Sequence, residues 1–177
     1  MKDLMLDIET LGCGEYSPII QVGACYFNRE NGEIGKEFLI SIDLVDAVNY
    51  GKPDGDTIRW WMSQDPNVIK QVINGTSKLK VALENFKVFA EAAECIWSHS
   101  TFDFVIVTNA MKILGLKGLG YRRGRDIRTL VDLAGSQKDD VAPNDNAHNA
   151  LSDCKHQVAY VVKALNKIND SRKEPTQ

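Results

Sequence analysis

Apolar and polar positions along the chain group into runs short enough for strands and periodic enough for helices. Residues 3–8 read as a buried strand, the apolar run 19–27 as a second, and 36–42 as a third. Asn31 and Gly32 mark a turn between the last two. Three consecutive strands joined by short turn-bearing segments predict an antiparallel meander opening a sheet. Residues 43–75, punctuated by Pro53, Gly55, Pro66 and Gly75, read as irregular to helical. Ser77 is placed to cap a helix running to Ala93, with Leu79, Leu83, Phe86 and Ala90 at helical spacing. A short strand over 94–98 and a helix over 101–114, ended by Gly115, follow. The Gly- and Arg-rich stretch 116–125 reads as a loop and 127–134 as a short helix. The closing helix spans 149–167, with Ala150, Leu151, Cys154, Val158, Val161 and Leu165 in one apolar stripe. Residues 168–177 are polar and expected to fray. This order predicts a single mixed α/β domain over 1–167, with helices packed on a central sheet.

Length and composition narrow the class. A chain of 177 residues with 44% hydrophobic content can bury a proper core in one domain. No apolar stretch approaches the roughly 20 residues of a membrane helix, so no membrane partner is expected. Acidic residues break the N-terminal apolar run too early for a signal peptide, so the expected address is cytoplasmic. Cys13, Cys25, Cys95 and Cys154 lack paired spacing and read as reduced thiols. Cys154 with His156 finds no second ligand pair for a zinc site. The net charge of −3 excludes a nucleic-acid binder that works by bulk positive potential. It leaves open a nuclease, which concentrates negative charge at its metal site and keeps basic residues local.

Candidate chemistry lies in four acids and one histidine. Asp7 and Glu9 stand at i and i+2 at the end of the first strand, so both leave the same face of the sheet. Two carboxylates on one face call for a cation, and all-oxygen ligands favour Mg²⁺ or Mn²⁺. Taken singly, these acids have ordinary readings. Asp7 could end a strand in water, Glu9 could sit in a turn, Asp103 could favour a helix dipole, and Asp153 could lie on a helix surface. Meeting above one sheet edge, they would suit two divalent ions roughly 3.5–4 Å apart, an arrangement that cleaves phosphodiesters. His148 is the natural general base. Residues five apart diverge by roughly 140° on a helix, so His148 reaches Asp153 only from before the helix. The polar stretch 143–146 allows that. His99 is placed at the site edge, and His156 projects away from the stripe.

Substrate contacts are less sharply marked. Lys112, Lys117, Arg122, Arg123, Arg125 and Arg128 form a basic run suited to tracking phosphates, or to a solvated loop and helix face. Gly115, Gly118, Gly120 and Gly124 suit a loop that orders on substrate, or a plain surface loop. Trp60 and Trp61 are adjacent and must point apart, one into the core. The other, with Trp61 the candidate, either stacks on a terminal base or joins a subunit interface.

The motifs Asp7-Ile-Glu-Thr10, Phe102-Asp103 and His148-x-x-x-x-Asp153 resemble the DEDDh branch of the DnaQ-like 3′→5′ exonucleases. Stretches 57–61, 97–103 and 125–130 resemble a bacterial and phage subgroup of exoribonucleases and exodeoxyribonuclease VIII-like proteins. The resemblance covers residues 3–165 and shows no departure at the five catalytic positions. It implies an RNase H-like fold, a five-stranded mixed sheet flanked by helices. It also implies stepwise hydrolysis of single-stranded RNA or DNA from the 3′ end to nucleoside 5′-monophosphates. Asp7, Glu9, Asp103 and Asp153 then correspond to ligands of two Mg²⁺ or Mn²⁺ ions, and His148 to the general base. Glu9, Thr10 and Leu11 correspond to the segment holding the terminal 3′-hydroxyl and base. Trp61, His99, Phe102 and Arg128, within the subgroup stretches, are further substrate-binding candidates. The family often forms homodimers. An oligoribonuclease-like enzyme restricted to very short oligomers, or an inert nucleic-acid-binding domain, are the alternatives.

Overall fold

Alternation along the first strand organises the molecule. In the computed structural model, which describes residues 1–172, β1 (Asp3–Thr10) is buried along its whole length. Leu4, Leu6 and Ile8 enter one core cluster, while Met5 enters another on the opposite face. β2 (Ile19–Phe27) and β3 (Ile34–Ser41) extend β1 as the expected antiparallel meander. β4 (Cys95–Ser98) and β5 (Gly124–Asp126) lie parallel on the other side, giving the order β3-β2-β1-β4-β5. β1 is therefore the boundary between the antiparallel and parallel halves.

Helices cover both faces. α1 (Leu44–Ala47), α2 (Gly55–Met62), α3 (Pro66–Ile73), α4 (Leu79–Phe89) and α5 (Val105–Ile113) contribute to the larger core. α6 (Ile127–Leu133) and α7 (Ala150–Ser171) pack Ile127, Cys154, Val158 and Val161 against Met5, Cys25, Phe27 and Trp97. α7 can come close because Gly23 of β2 lacks a side chain; a Cβ there would stand 2.3 Å from the Ala150 carbonyl carbon. Gln21 secures the same approach, its Oε1 accepting from the Ala150 N–H at 2.8 Å.

Several boundaries differ from the sequence reading. β5 occupies part of the stretch expected to be loop; Gly-Arg-Asp has no apolar alternation, and its pairing with β4 makes it a strand. Ser77 does not cap α4. It bridges Ile42, and Asp46 accepts from the Leu79 N–H at 2.7 Å, so the cap comes from a distant element. The helix expected over 101–114 begins as a π-helical turn, Ser100–Phe104, before α5. α7 continues to Ser171, past the expected end at 167, because no glycine or proline interrupts it. Of the expected frayed tail, 173–177 lie outside the described residues. No helix among the described residues is long and apolar enough to cross a membrane.

Candidate active site

The face of β1 that carries Met5 also carries Asp7 and Glu9, and α7 lies across it. Asp7 is 8% exposed and Glu9 9%, the depth at which an isolated carboxylate needs a partner. Asp103 is 1% exposed and enters from the π-helical turn after β4. Its entry is pinned at His99: Phe102 and Asp103 both donate their N–H to the His99 carbonyl, and Asp103 Oδ2 accepts from the His99 N–H at 2.8 Å. Such one-turn π insertions re-aim a side chain from the path a regular helix would give it. Asp153, half-buried in the first turn of α7, completes the set.

His148 lies before α7, whose N-cap is Asn149. Its backbone is left-handed, φ 65°, the only non-glycine residue with positive φ among those described. This bend turns its N–H onto Asp153 Oδ2 at 2.9 Å. Asn144 grips the other oxygen, its Nδ2 donating to Asp153 Oδ1 at 2.7 Å, while its own Oδ1 accepts from Ser152 Oγ at 2.8 Å. One turn along α7, Gln157 Nε2 donates to Asp7 Oδ1 at 2.7 Å, leaving its buried Oε1 without a hydrogen-bond partner. Gln157 and Asn144 were not anticipated; only Gln157, four residues after Asp153 on the same helical face, had a spacing signal.

These groups line one open cleft of about 1010 Å³, together with Phe102, Arg128 and Lys138. Ligand atoms of Asp7, Asp103 and His99 lie within 4.8 Å of one another, as do those of Glu9, Asp153 and His148. None of the four acids pairs with a Lys or Arg among the described residues; Asp103 faces only the His99 ring, at 3.7 Å. The electrostatics follow. Burial, then repulsion from Asp103, Glu9 and Asp153, holds the Asp7 carboxyl well above the usual range. Burial, then Asp153 and Asp103, raises Glu9 to about 8. Burial raises Asp103 to about 7 against donation from backbone N–H groups, and it raises Asp153 as well. Burial and nearby Arg128 push His99 down to about 4, so its ring is neutral at pH 7. Carboxylates crowded this way are a built site for divalent cations, which would restore their ionised form.

Beside Glu9 the cleft opens into a chamber of about 450 Å³ lined by Thr10, Cys13, Thr57, Trp60, Trp61 and Phe102. Trp61 is the buried tryptophan, its indole N–H donating to the Thr10 carbonyl at 2.9 Å. Trp60 is the one that presents a surface, 41% exposed and edge-on to the His148 ring at 4.8 Å. The structure thus gives the open aromatic face to Trp60 rather than Trp61. Leu11 is half-buried and pinned through its backbone, its carbonyl accepting from the Asp54 N–H at 2.8 Å. The basic run divides: Arg123 turns inward and donates to the Ala90 and Leu119 carbonyls, capping the end of α4. Arg128 reaches the cleft.

A mixed sheet in this order, with acids where β1, β4 and α7 meet, defines an RNase H-like fold. Solved structures agree. E. coli exonuclease I in complex with a dT13 oligonucleotide superposes with a TM-score of 0.70 at 14% identity, covering 96% of this chain and 42% of that one. Exonuclease X in complex with 5′ overhanging duplex DNA gives 0.59 at 14% identity, covering 94% and 93%. The nuclease domain of 3′hExo, a DEDDh family member bound to rAMP, gives 0.57 at 14% identity, covering 93% and 91%. This chain thus spans less than half of the exonuclease I chain. No curated protein matches the sequence. Residues 2–165 match the Rv2179c-like 3′-5′ exoribonuclease domain, and the chain belongs to that family, within the DEDDh 3′-5′ exonuclease superfamily.

Proposed function

We propose that this chain removes nucleoside 5′-monophosphates one at a time from the 3′ end of single-stranded RNA or DNA. One observation carries the reading: four crowded carboxylates, none in an ion pair with Lys or Arg among the described residues, share a cleft with His148. Two clusters of ligand atoms, one on Asp7 and Asp103 and one on Glu9 and Asp153, support a pair of Mg²⁺ or Mn²⁺ ions. When bound, such ions offset the charge of the phosphate and favour ionisation of the attacking water. His148 takes the proton from that water. Its left-handed backbone and the hydrogen bond to Asp153 fix where the imidazole sits, and Trp60 walls one side of the ring. Gln157 and Asn144 keep one oxygen each of Asp7 and Asp153 engaged, leaving the remaining lone pairs to face the cleft.

The chamber beside Glu9 suits the 3′-terminal nucleoside. Thr10 lines it with Leu11 next in the chain behind, Trp61 anchors Thr10 through its carbonyl, and Phe102 and Trp60 offer apolar faces to the base. His99, neutral at working pH, lines the cleft as a hydrogen-bonding group. Arg128 supplies positive charge toward the strand. Family membership supports the RNA arm of the reading.

The test is a gel assay of the pure protein on matched 5′-labelled RNA and DNA 20-mers with Mn²⁺, Mg²⁺ or EDTA. A metal-dependent ladder shortening from the 3′ end, absent in Asp7→Ala, is expected. Cleavage confined to oligomers of a few nucleotides would move the assignment to an oligoribonuclease-like enzyme. No cleavage at any length, with no divalent binding by calorimetry, would leave an inert binding domain.

A further inference from the structure

Two side cavities open from the main cleft, and they share no residue. One, the chamber for the terminal nucleoside, meets the cleft at Ile8, Glu9, Cys13 and Phe102. The other, of about 330 Å³, meets it at His99, Arg128, Lys138 and Tyr160 and extends to Ile127, Val131, Asp132 and Ser136. If the strand's 3′ end fills the first, the second adjoins the cleft at different residues and is open to its 5′ side. That far cavity is where the cleft's cations gather. Arg128 and Lys138 are both exposed, and among the described residues neither forms an ion pair or side-chain hydrogen bond. Ser136 lines the same cavity, is 9% exposed, and keeps a buried hydroxyl without a partner.

The framework around them is fixed. Asp126 Oδ2 accepts from the Ser100 N–H and hydroxyl at 3.0 and 2.9 Å, and its Oδ1 accepts from the Thr129 N–H at 2.7 Å. This carboxylate therefore ties the turn bearing His99 and Asp103 to the first turn of α6, where Arg128 stands. Lys138 sits in a short helical turn closed by reciprocal bonds between Gln137 and Asp140. Asp132 borders this cavity and Asp139 the main cleft, so the region is not a diffuse basic surface: the two cations stand out against an acidic surround. Two exposed cations without ion-pair partners among the described residues, lining one cavity beside the cleft, suit a phosphate of the strand.

We propose that Arg128 and Lys138 bind a backbone phosphate of the strand on the 5′ side of the scissile linkage. This rests on the exonuclease reading above. The site holds the strand in register and makes substrate binding depend on one particular upstream charge.

The experiment is a charge scan of the substrate. A single-stranded oligonucleotide of the sugar type the enzyme cleaves carries one neutral methylphosphonate at the first, second, third or fourth linkage upstream of a natural terminal linkage. Release of the terminal nucleotide is followed over a range of enzyme concentrations with Mn²⁺. In the wild type, one position should raise the half-saturating concentration about tenfold, the loss of one charge-assisted contact. Lys138→Ala and Arg128→Ala should weaken binding of the natural strand and lose the positional penalty, whereas Lys138→Arg should keep it. A penalty that is equal at all positions, or that persists unchanged in both alanine variants, overturns the proposal. Failure of the wild type to shorten the natural strand is a separate result, which overturns the exonuclease reading and this site with it.

Discussion

Replacing Glu9 by glutamine should make the metal-free protein more stable while weakening its response to divalent cations. Glu9 is buried beside Asp153 and Asp103, and its pKa rises from 4.5 to about 8. At pH 7 the folded chain holds a proton that the unfolded chain releases. A carboxyl raised on folding costs nothing below its unfolded value, so the destabilisation begins near pH 4.5 and is complete above about pH 8. At pH 7 it amounts to about 3 kcal/mol, at ~1.36 kcal/mol for each pH unit above the unfolded value. A buried glutamine with incomplete hydrogen bonding returns about 1–2 kcal/mol of that. The net gain of about 1–2 kcal/mol should raise the melting midpoint by about 2–8 °C for a chain of this size. Asp103, raised from 3.8 to about 7, adds a wild-type dependence of the same sign. Thermal unfolding in EDTA at pH 5 and pH 8, with and without excess Mn²⁺, reads all of this. Wild type should melt lower at pH 8 than at pH 5 in EDTA and recover with Mn²⁺; Glu9→Gln should flatten both responses. A variant that melts below wild type at pH 8 in EDTA, with its Mn²⁺ shift intact, would refute the reasoning.

Three further substitutions separate chemistry from scaffold. His148→Ala should slow single-turnover hydrolysis by about 10²–10⁴ while keeping the Mn²⁺-dependent melting shift, since the proposed proton acceptor is lost and the acids remain. His148→Gly should lose hydrolysis equally but melt higher than His148→Ala by the equivalent of about 1 kcal/mol, because glycine occupies φ 65° without strain. Gly23→Ala should destabilise by about 1–3 kcal/mol or more, since its methyl would stand 2.3 Å from the Ala150 carbonyl carbon. As α7 moves to make room, the Mn²⁺ shift of Gly23→Ala should shrink too, which a melt with and without Mn²⁺ would show.

Much of this geometry was legible because it depends on local periodicity. The period of two along β1 is enough to put Asp7 and Glu9 on one face, and the polar stretch before Asn149 is enough to bring His148 in ahead of α7. What stayed hidden depends on partners distant in sequence. Gly124–Asp126 is a strand only because β4 offers it an edge. The choice between Trp60 and Trp61 was decided by the Thr10 carbonyl, fifty-one positions from the indole it accepts. Arg123 looks like its basic neighbours in sequence, yet its guanidinium serves the carbonyls at the end of α4. The link from Asn144 to Asp153 crosses an irregular loop, where no periodicity says which side chains meet.

The acidic centre draws on the first strand and the last helix. Asp7 and Glu9 come from β1, while Asp153 and Gln157 come from α7, which begins only at Ala150. Asp7, Glu9 and Asp103 are all made before Asp153, so the set of four carboxylates stays incomplete until synthesis has reached the start of α7. Whatever hydrolytic power the centre has is withheld during synthesis and arrives as α7 docks.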